Sequence, residues 1–136
     1  MKLKRNLIML TIVAAVAYSC NGSSSSMTPQ EKLEGKWVVD NAELLGGTIQ
    51  GDGSYLQFDA CDGAGSCTGI DFMADDTTTG SFSYVLYEED SLVITDTMSE
   101  GGAWTATWDI LELSETKLRM IANSIFGTVK YEFNKE

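Results

Sequence analysis

The sequence predicts an all-β domain, an eight-stranded antiparallel up-and-down barrel or flattened barrel, preceded by a short N-terminal helix. Three observations lead to this fold class. The 136 residues are enough for one domain and not for two. From residue 35 onward, apolar and polar residues alternate with a period of two, which is typical of strands with one buried face. The segments between these runs are too short for parallel crossovers, so neighbouring strands are antiparallel, and closure into a barrel removes the exposed edges.

The first 19 residues have the pattern of a signal peptide. Lys2, Lys4 and Arg5 precede an apolar run at residues 7–17, which ends in small residues. A helix made of this run would cross only about half of the ~30 Å hydrocarbon layer of a bilayer. We therefore expect residues 1–19 to be a removable leader rather than a membrane span.

Cys20 follows this leader directly, after Ala17, Tyr18 and Ser19. This arrangement resembles the lipobox of bacterial lipoproteins, which implies that Cys20 carries acyl chains and that residues 20–27 form a flexible Gly/Ser tether. The resemblance also implies a cell-envelope protein anchored by lipid, and Asn21 fits sorting to the outer membrane, on its periplasmic or surface face. The alternative is an ordinary signal peptide with an incidental cysteine.

A short helix is predicted after the tether. Thr28 is a helix N-cap residue, Pro29 suits the first helical position, and Glu31 comes three residues after the cap. Gly35 ends the segment, so the helix has one or two turns.

Eight strands are predicted after this helix, beginning with residues 35–44, with turn clusters at residues 51–53, 75–77, 88–90, 100–102 and 114–116. The alternation assigns one set of bulky side chains to the barrel interior: Trp37, Val39, Leu56, Phe58, Ile70, Phe72, Phe82, Tyr84, Leu86, Leu92, Ile94, Trp108, Ile110, Leu118, Met120, Tyr131 and Phe133.

Cys61 and Cys67 remain as an even pair if Cys20 is lipidated. The turn-rich segment between them lies between two strand-like runs, and an envelope compartment oxidises thiols, so we expect a structural disulfide. Free thiols are the second alternative. A redox or metal-binding role is the third, although the spacing is not that of a Cys-x-x-Cys motif.

Gly35 and Trp37 form a Gly-x-Trp motif at the start of the first strand. A short helix, this motif and an eight-stranded meander resemble the lipocalin superfamily. The strand from Trp108 to Leu113 is similar to one found in the compact lipocalin-like domains of bacterial lipoproteins. The resemblance implies a lipocalin-like barrel over residues 28–136, with Trp37 as a structural plug at the closed end.

An eight-stranded barrel is just wide enough to be filled by side chains or to hold one small molecule. Tyr84, Trp104, Trp108 and Tyr131 are the predicted ligand contacts, because each combines an apolar ring with a hydrogen-bonding group. The first hypothesis is therefore binding of a small apolar or amphipathic molecule. The alternative is a filled barrel that acts as a scaffold or binds a protein or glycan.

Composition excludes several other functions. The chain has 20 acidic and 9 basic residues, and the 117 residues after the leader carry a net charge of −14, which disfavours nucleic-acid binding. The absence of histidine excludes Ser-His-Asp and Cys-His catalysis and His-containing zinc sites. We predict no enzymatic activity, no cofactor and no metal site; calcium binding by the acidic turns stays open, although no twelve-residue calcium loop is present.

Overall fold

The structure is a computed structural model, which describes residues 26–62, 67–96, 104–125 and 127–136. The predicted signal peptide, Cys20 and most of the tether lie outside the described residues. The elements are one helix and nine strands: α1 (Pro29–Leu33), β1 (Gly35–Leu44), β2 (Gly47–Gln50), β3 (Tyr55–Phe58), β4 (Cys67–Met73), β5 (Thr78–Tyr87), β6 (Ser91–Asp96), β7 (Trp104–Leu113), β8 (Lys117–Ser124) and β9 (Gly127–Lys135).

The strands form a closed antiparallel barrel. Strands β3 to β8 each pair with the next strand along the chain, and β1 pairs with both β3 and β9. This closure leaves eight strands around the barrel, so the predicted fold class is confirmed. The strand β2 is an addition that pairs with the second half of β1.

All eight predicted barrel strands are present, and β2 is an extra strand that the sequence did not predict. Leu44 pairs with Gly47, so only Leu45 and Gly46 make the turn. Both have positive φ angles, 52° and 78°, as a type I′ hairpin turn requires. A leucine in the first turn position is not a recognisable hairpin signal, so the sequence did not predict this reversal.

The helix α1 covers one end of the barrel, here called the closed end. Thr28 accepts a hydrogen bond from the backbone N–H of Glu31, and the Glu31 carboxylate accepts one from the backbone N–H of Thr28, completing a capping box. Leu33 and Trp37 are fully buried there, and the Trp37 indole N–H donates to the Leu33 carbonyl at 2.6 Å. Lys135 lies over the Trp37 ring, with its Nζ 5.0 Å from the ring centre.

The predicted interior set is correct except at β4. The register pairs Gly69 with the buried Phe58, and Asp71 with Leu56, so the inner face of β4 carries Cys67, Gly69 and Asp71. Ile70 and Phe72 were predicted inside and lie on the outer face.

Two contacts explain why Cys67, Gly69 and Asp71 face inward in β4. Cys67 points inward to its disulfide partner, and a period of two then brings Gly69 and Asp71 inward as well. Phe72 is sheltered on the outer face because its ring stacks on Tyr55, with 5.1 Å between centres.

Candidate functional site

The barrel interior contains a cavity of about 410 Å³ at the end opposite α1. This volume lies in the usual range for small-molecule sites. Ile49, Gln50 and Met73 lie at its open end, called the mouth here. The aromatic residues Trp37, Phe58 and Tyr84 fill the closed end, so only one half of the barrel is packed solid.

Trp108 and Tyr131 form an aromatic wall of the cavity. Their rings meet edge to face, with 5.7 Å between centres, and both residues line the cavity together with Phe82, Ile94 and Met120. The indole Nε1 of Trp108 is buried and has no hydrogen-bond partner among the described residues. A buried donor without a partner costs free energy, so this N–H is available to an acceptor on a bound molecule.

Two carboxylates face the same cavity. Asp71 is on the inner face of β4, and Asp96, at the end of β6, pairs with the inward-facing Phe82. Burial raises the pKa of Asp71, and the negative charge of Asp96 raises it further. The cavity is therefore apolar along its wall and negatively charged towards its mouth.

Two further carboxylates, Asp52 and Asp75, line the mouth. Hydrogen bonding by the Ser54 side chain, and then by the Ser54 N–H at 2.9 Å, lowers the pKa of Asp52. Asp75 accepts a hydrogen bond from the Asp76 N–H at 2.8 Å. The Ser54 hydroxyl oxygen accepts a hydrogen bond from the Ala74 N–H, linking the mouth segment before β3 to the β4–β5 turn. These bonds hold the mouth in a defined shape.

Comparison with solved structures shows which fold this is. No protein-family model and no curated protein matches the chain. A lipocalin-like protein from Bacteroides uniformis ATCC 8492 superposes with a TM-score of 0.54, at 21% identity, over 77% of this chain and 99% of that one. The fold is lipocalin-like. An uncharacterized protein from Bacteroides eggerthii DSM 20697 is also similar, with a TM-score of 0.50, 21% identity, and coverage of 76% and 99%.

The lipocalin-like barrel separates the four predicted ligand contacts. Trp108 and Tyr131 line the cavity. Tyr84 instead lies at the closed end, where its hydroxyl donates to the Asp59 carbonyl at 2.6 Å and accepts from the Gln30 amide at 2.8 Å. Trp104 begins β7 and pairs in register with Asp96, and its side chain lies outside the described part of the structure.

The remaining predicted residues lie at the closed end of the barrel. Cys61 and Cys67 form the predicted disulfide, with their Cα atoms 4.5 Å apart. Gly35 has a φ of 113°, and Trp37 is the buried plug beneath α1 that the Gly-x-Trp motif implied.

Asp71 and Asp96 are the site residues that sequence reasoning missed. Apolar neighbours at positions 70 and 72 suggested that Asp71 faces solvent. The available signal was Cys67, since an inward cysteine places every second residue of β4 inside.

No membrane span or metal centre was found in the described part of the chain. Within these ranges no helix combines the length and apolar character that crossing a bilayer requires. No three or more Asp, Glu, Cys or His side chains of these ranges come together in a group that could hold a metal ion.

Proposed function

We propose that this lipocalin-like barrel binds one small amphipathic molecule in its cavity, and that it acts as a binding protein rather than an enzyme. The observation that carries the proposal is the 410 Å³ cavity inside the barrel, with the unpartnered indole N–H of Trp108 in its wall. An apolar body would displace water from the wall, and a polar group of the ligand would accept a hydrogen bond from Trp108.

The cavity favours this function over the filled-barrel alternative. A scaffold needs a packed core and has no use for an interior opening of this size. Unfilled interior volume weakens packing, and it carries the additional cost of a buried donor at Trp108. A bound ligand would offset both costs.

We further propose that the protein is anchored in the cell envelope by acyl chains on Cys20. The support is the lipobox-like sequence before Cys20 and the tether that follows it. Because the described chain enters the barrel through α1, the tether would join the closed end. The mouth of the cavity would then be at the far end of the barrel from the anchor.

Titration with the neutral fluorescent probe Nile red tests the binding function. We expect saturable binding of one probe per chain, because an apolar cavity increases its emission. Ala42→Phe is expected to weaken binding at least tenfold, since Ala42 is buried and lines the cavity. Val85→Phe adds the same ring on the outer face, where Val85 is 41% exposed, and serves as the matched control.

Circular dichroism of both variants would establish that each is folded. The proposed function is contradicted if the probe does not saturate, or if folded Ala42→Phe binds it as tightly as Val85→Phe does.

A further inference from the structure

We infer that the ligand enters the cavity through a gap in the side of the barrel, between β2 and the end of β4, and that Ile49 and Met73 control its passage. This gap is called the side gap here. The inference rests on the proposed function, because it assigns the entrance of the same cavity. It adds the residues that set how fast a ligand binds and leaves.

The side gap exists because the barrel wall is interrupted next to β1. The first half of β1 pairs with β3, and its second half pairs with β2. The pairing of β3 with β4 ends where Tyr55 lies opposite Phe72. In the described part of the chain β2 pairs with β1 alone, so no ladder of hydrogen bonds closes the wall between β2 and β4.

A bulge between β2 and β3 accounts for this interruption. Its four residues, 51–54, lie opposite only two residues of β1, Val39 and Asp40. The Gly51 N–H donates to the Asp40 carbonyl at 2.8 Å, and the Val39 N–H donates to the Ser54 carbonyl at 2.9 Å. Gly51 is required, because a methyl group there would overlap the Val39 carbonyl oxygen. Since a bulge bends its strand, this one separates β2 from β4.

Ile49 and Met73 are inward-facing residues on the two sides of the side gap. Ile49 pairs with the buried Ala42, and Met73 follows the inward-facing Asp71 by two positions, so both lie on the inner face of the sheet. Both line the cavity, yet Ile49 is 56% exposed and Met73 is 45% exposed. Solvent therefore reaches the inner face of the wall at this point.

The side gap is fixed at one edge and bordered by apolar side chains at the other two. The edge nearest the closed end is fixed by the buried Ser54, whose hydroxyl oxygen accepts a hydrogen bond from the Ala74 N–H at 3.0 Å. Beyond this bond, no hydrogen bond within the described ranges joins β2 to the β4–β5 turn. The opening is therefore bordered by the side chains of Ile49 and Met73, and exposed side chains change rotamer rapidly.

Residues that border an entrance leave a kinetic signature that differs from that of ligand contacts. A larger side chain at an entrance slows association and dissociation together, so the Kd changes less than either rate. A change in a contact to the bound molecule acts mainly on the dissociation rate, and the Kd changes with it.

Stopped-flow fluorescence of Nile red with the purified protein measures both rates. Ile49→Trp and Met73→Trp narrow the side gap, and each is expected to slow association and dissociation by about threefold or more. The double variant is expected to slow both rates by about tenfold or more. Ile49→Ala and Met73→Ala widen the side gap and should accelerate both rates.

Val129→Trp is the matched control. Val129 is on the inner face of β9, two positions from Tyr131 and opposite Leu44, and it does not line the cavity. The substitution adds the same side chain at the end of the barrel and away from the side gap. It is expected to change each rate by less than about twofold. Circular dichroism would establish that every variant is folded.

Entry through the side gap is wrong if Ile49→Trp and Met73→Trp slow binding no more than Val129→Trp does. It is also wrong if the two variants raise the Kd while association stays at the wild-type rate, because both residues would then be contacts of the bound molecule. In either case the proposed function stands. If Nile red does not bind saturably to the wild-type protein, the proposed function fails and this inference fails with it.

Discussion

Asp71 is a carboxylate on the inner face of the barrel, where burial disfavours its negative charge. Burial raises the pKa of Asp71, the negative charge of Asp96 raises it further, and the Asp71 carboxylate forms no ion pair with the described residues. An isosteric amide would keep the shape of the side chain and remove the charge. The cost of the charge is therefore measurable without disturbing the packing.

Asp71→Asn is expected to raise the melting temperature at pH 7 by about 1–4 °C. The folded-state pKa of Asp71 is raised, so the folded protein binds its proton more tightly than the unfolded chain does. The free energy of unfolding therefore falls as the pH rises from the ordinary pKa of an aspartate to the raised pKa of folded Asp71. Above that raised pKa, the full destabilisation by the charge is present. Thermal unfolding at pH 7 and at pH 3 checks this: the gain should be present at pH 7 and absent at pH 3.

Asp109→Asn serves as the control and should show no comparable gain, because Asp109 is exposed. A decrease in stability of Asp71→Asn at pH 7 would mean that the charge supports the fold, which is the opposite of this account.

The aromatic residues show how far residue type alone identifies the site. Trp108 and Tyr131 were predicted contacts and line the cavity, whereas Tyr84, chosen for the same reason, uses its hydroxyl to connect α1 to the segment after β3. The alternation predicts which face of the sheet a ring lies on. It does not predict how far along the barrel axis the ring lies. That height depends on which end is covered, and the covering helix α1 is only five residues long.

At the scale of the element, β4 determines the chemistry of the cavity. Its inward residues are small or charged, and its apolar residues Ile70 and Phe72 face outward. Gly69 is needed for this arrangement, because any side chain there would overlap the Phe82 ring and the Gln57 carbonyl oxygen. The fold was predictable because seven other strands keep the expected alternation, while β4 departs from it through its disulfide.

Gly69→Ala is expected to lower the free energy of unfolding by about 1–3 kcal/mol, as overpacked core substitutions do. Gly80→Ala is the matched control on the neighbouring strand. The three atoms nearest to its new methyl group all belong to the Asp71 side chain, which can rotate, so Gly80→Ala should cost less. Urea denaturation of both variants makes the comparison, and an equal or greater cost at Gly80 would contradict this view of β4.

The disulfide between Cys61 and Cys67 closes a short loop between β3 and β4. Replacing both cysteines with alanine is expected to lower the free energy of unfolding by about 2 kcal/mol, mainly because the unfolded chain regains freedom. Nile red binding should persist, since Cys61 lies beside Tyr84 at the closed end, with its Sγ 3.7 Å from the Tyr84 hydroxyl. Loss of probe binding in a folded double variant would contradict the separation of the two ends.

At the scale of the whole molecule, the barrel has two different ends. The closed end carries α1, the disulfide and the C-terminal part of β9, and the other end carries the cavity mouth with its carboxylates. The sequence predicted the closed sheet, because period-two alternation and short turns leave few alternatives. It could not predict the cavity, since the same bulky residues would have filled a narrower barrel.

The proposed anchor is tested by Cys20→Ala in the full chain. We expect the wild-type protein to sediment with membranes and to enter the detergent phase on Triton X-114 partitioning, because several acyl chains bind a bilayer stably. Cys20→Ala should instead be recovered in the aqueous phase. If both proteins partition identically, the lipid anchor is excluded.

The central claim is that a small amphipathic molecule occupies the cavity beside Trp108. Nitrogen-15 NMR of the indole N–H groups during titration with octanol tests it most directly, with resonances assigned through Trp→Phe variants. The Trp108 resonance should shift and saturate, because its indole N–H, which has no partner in the described ranges, gains an acceptor. The Trp37 indole N–H already donates to the Leu33 carbonyl, so its resonance should stay in place. A Trp108 resonance that does not move up to the solubility limit of octanol would contradict the account.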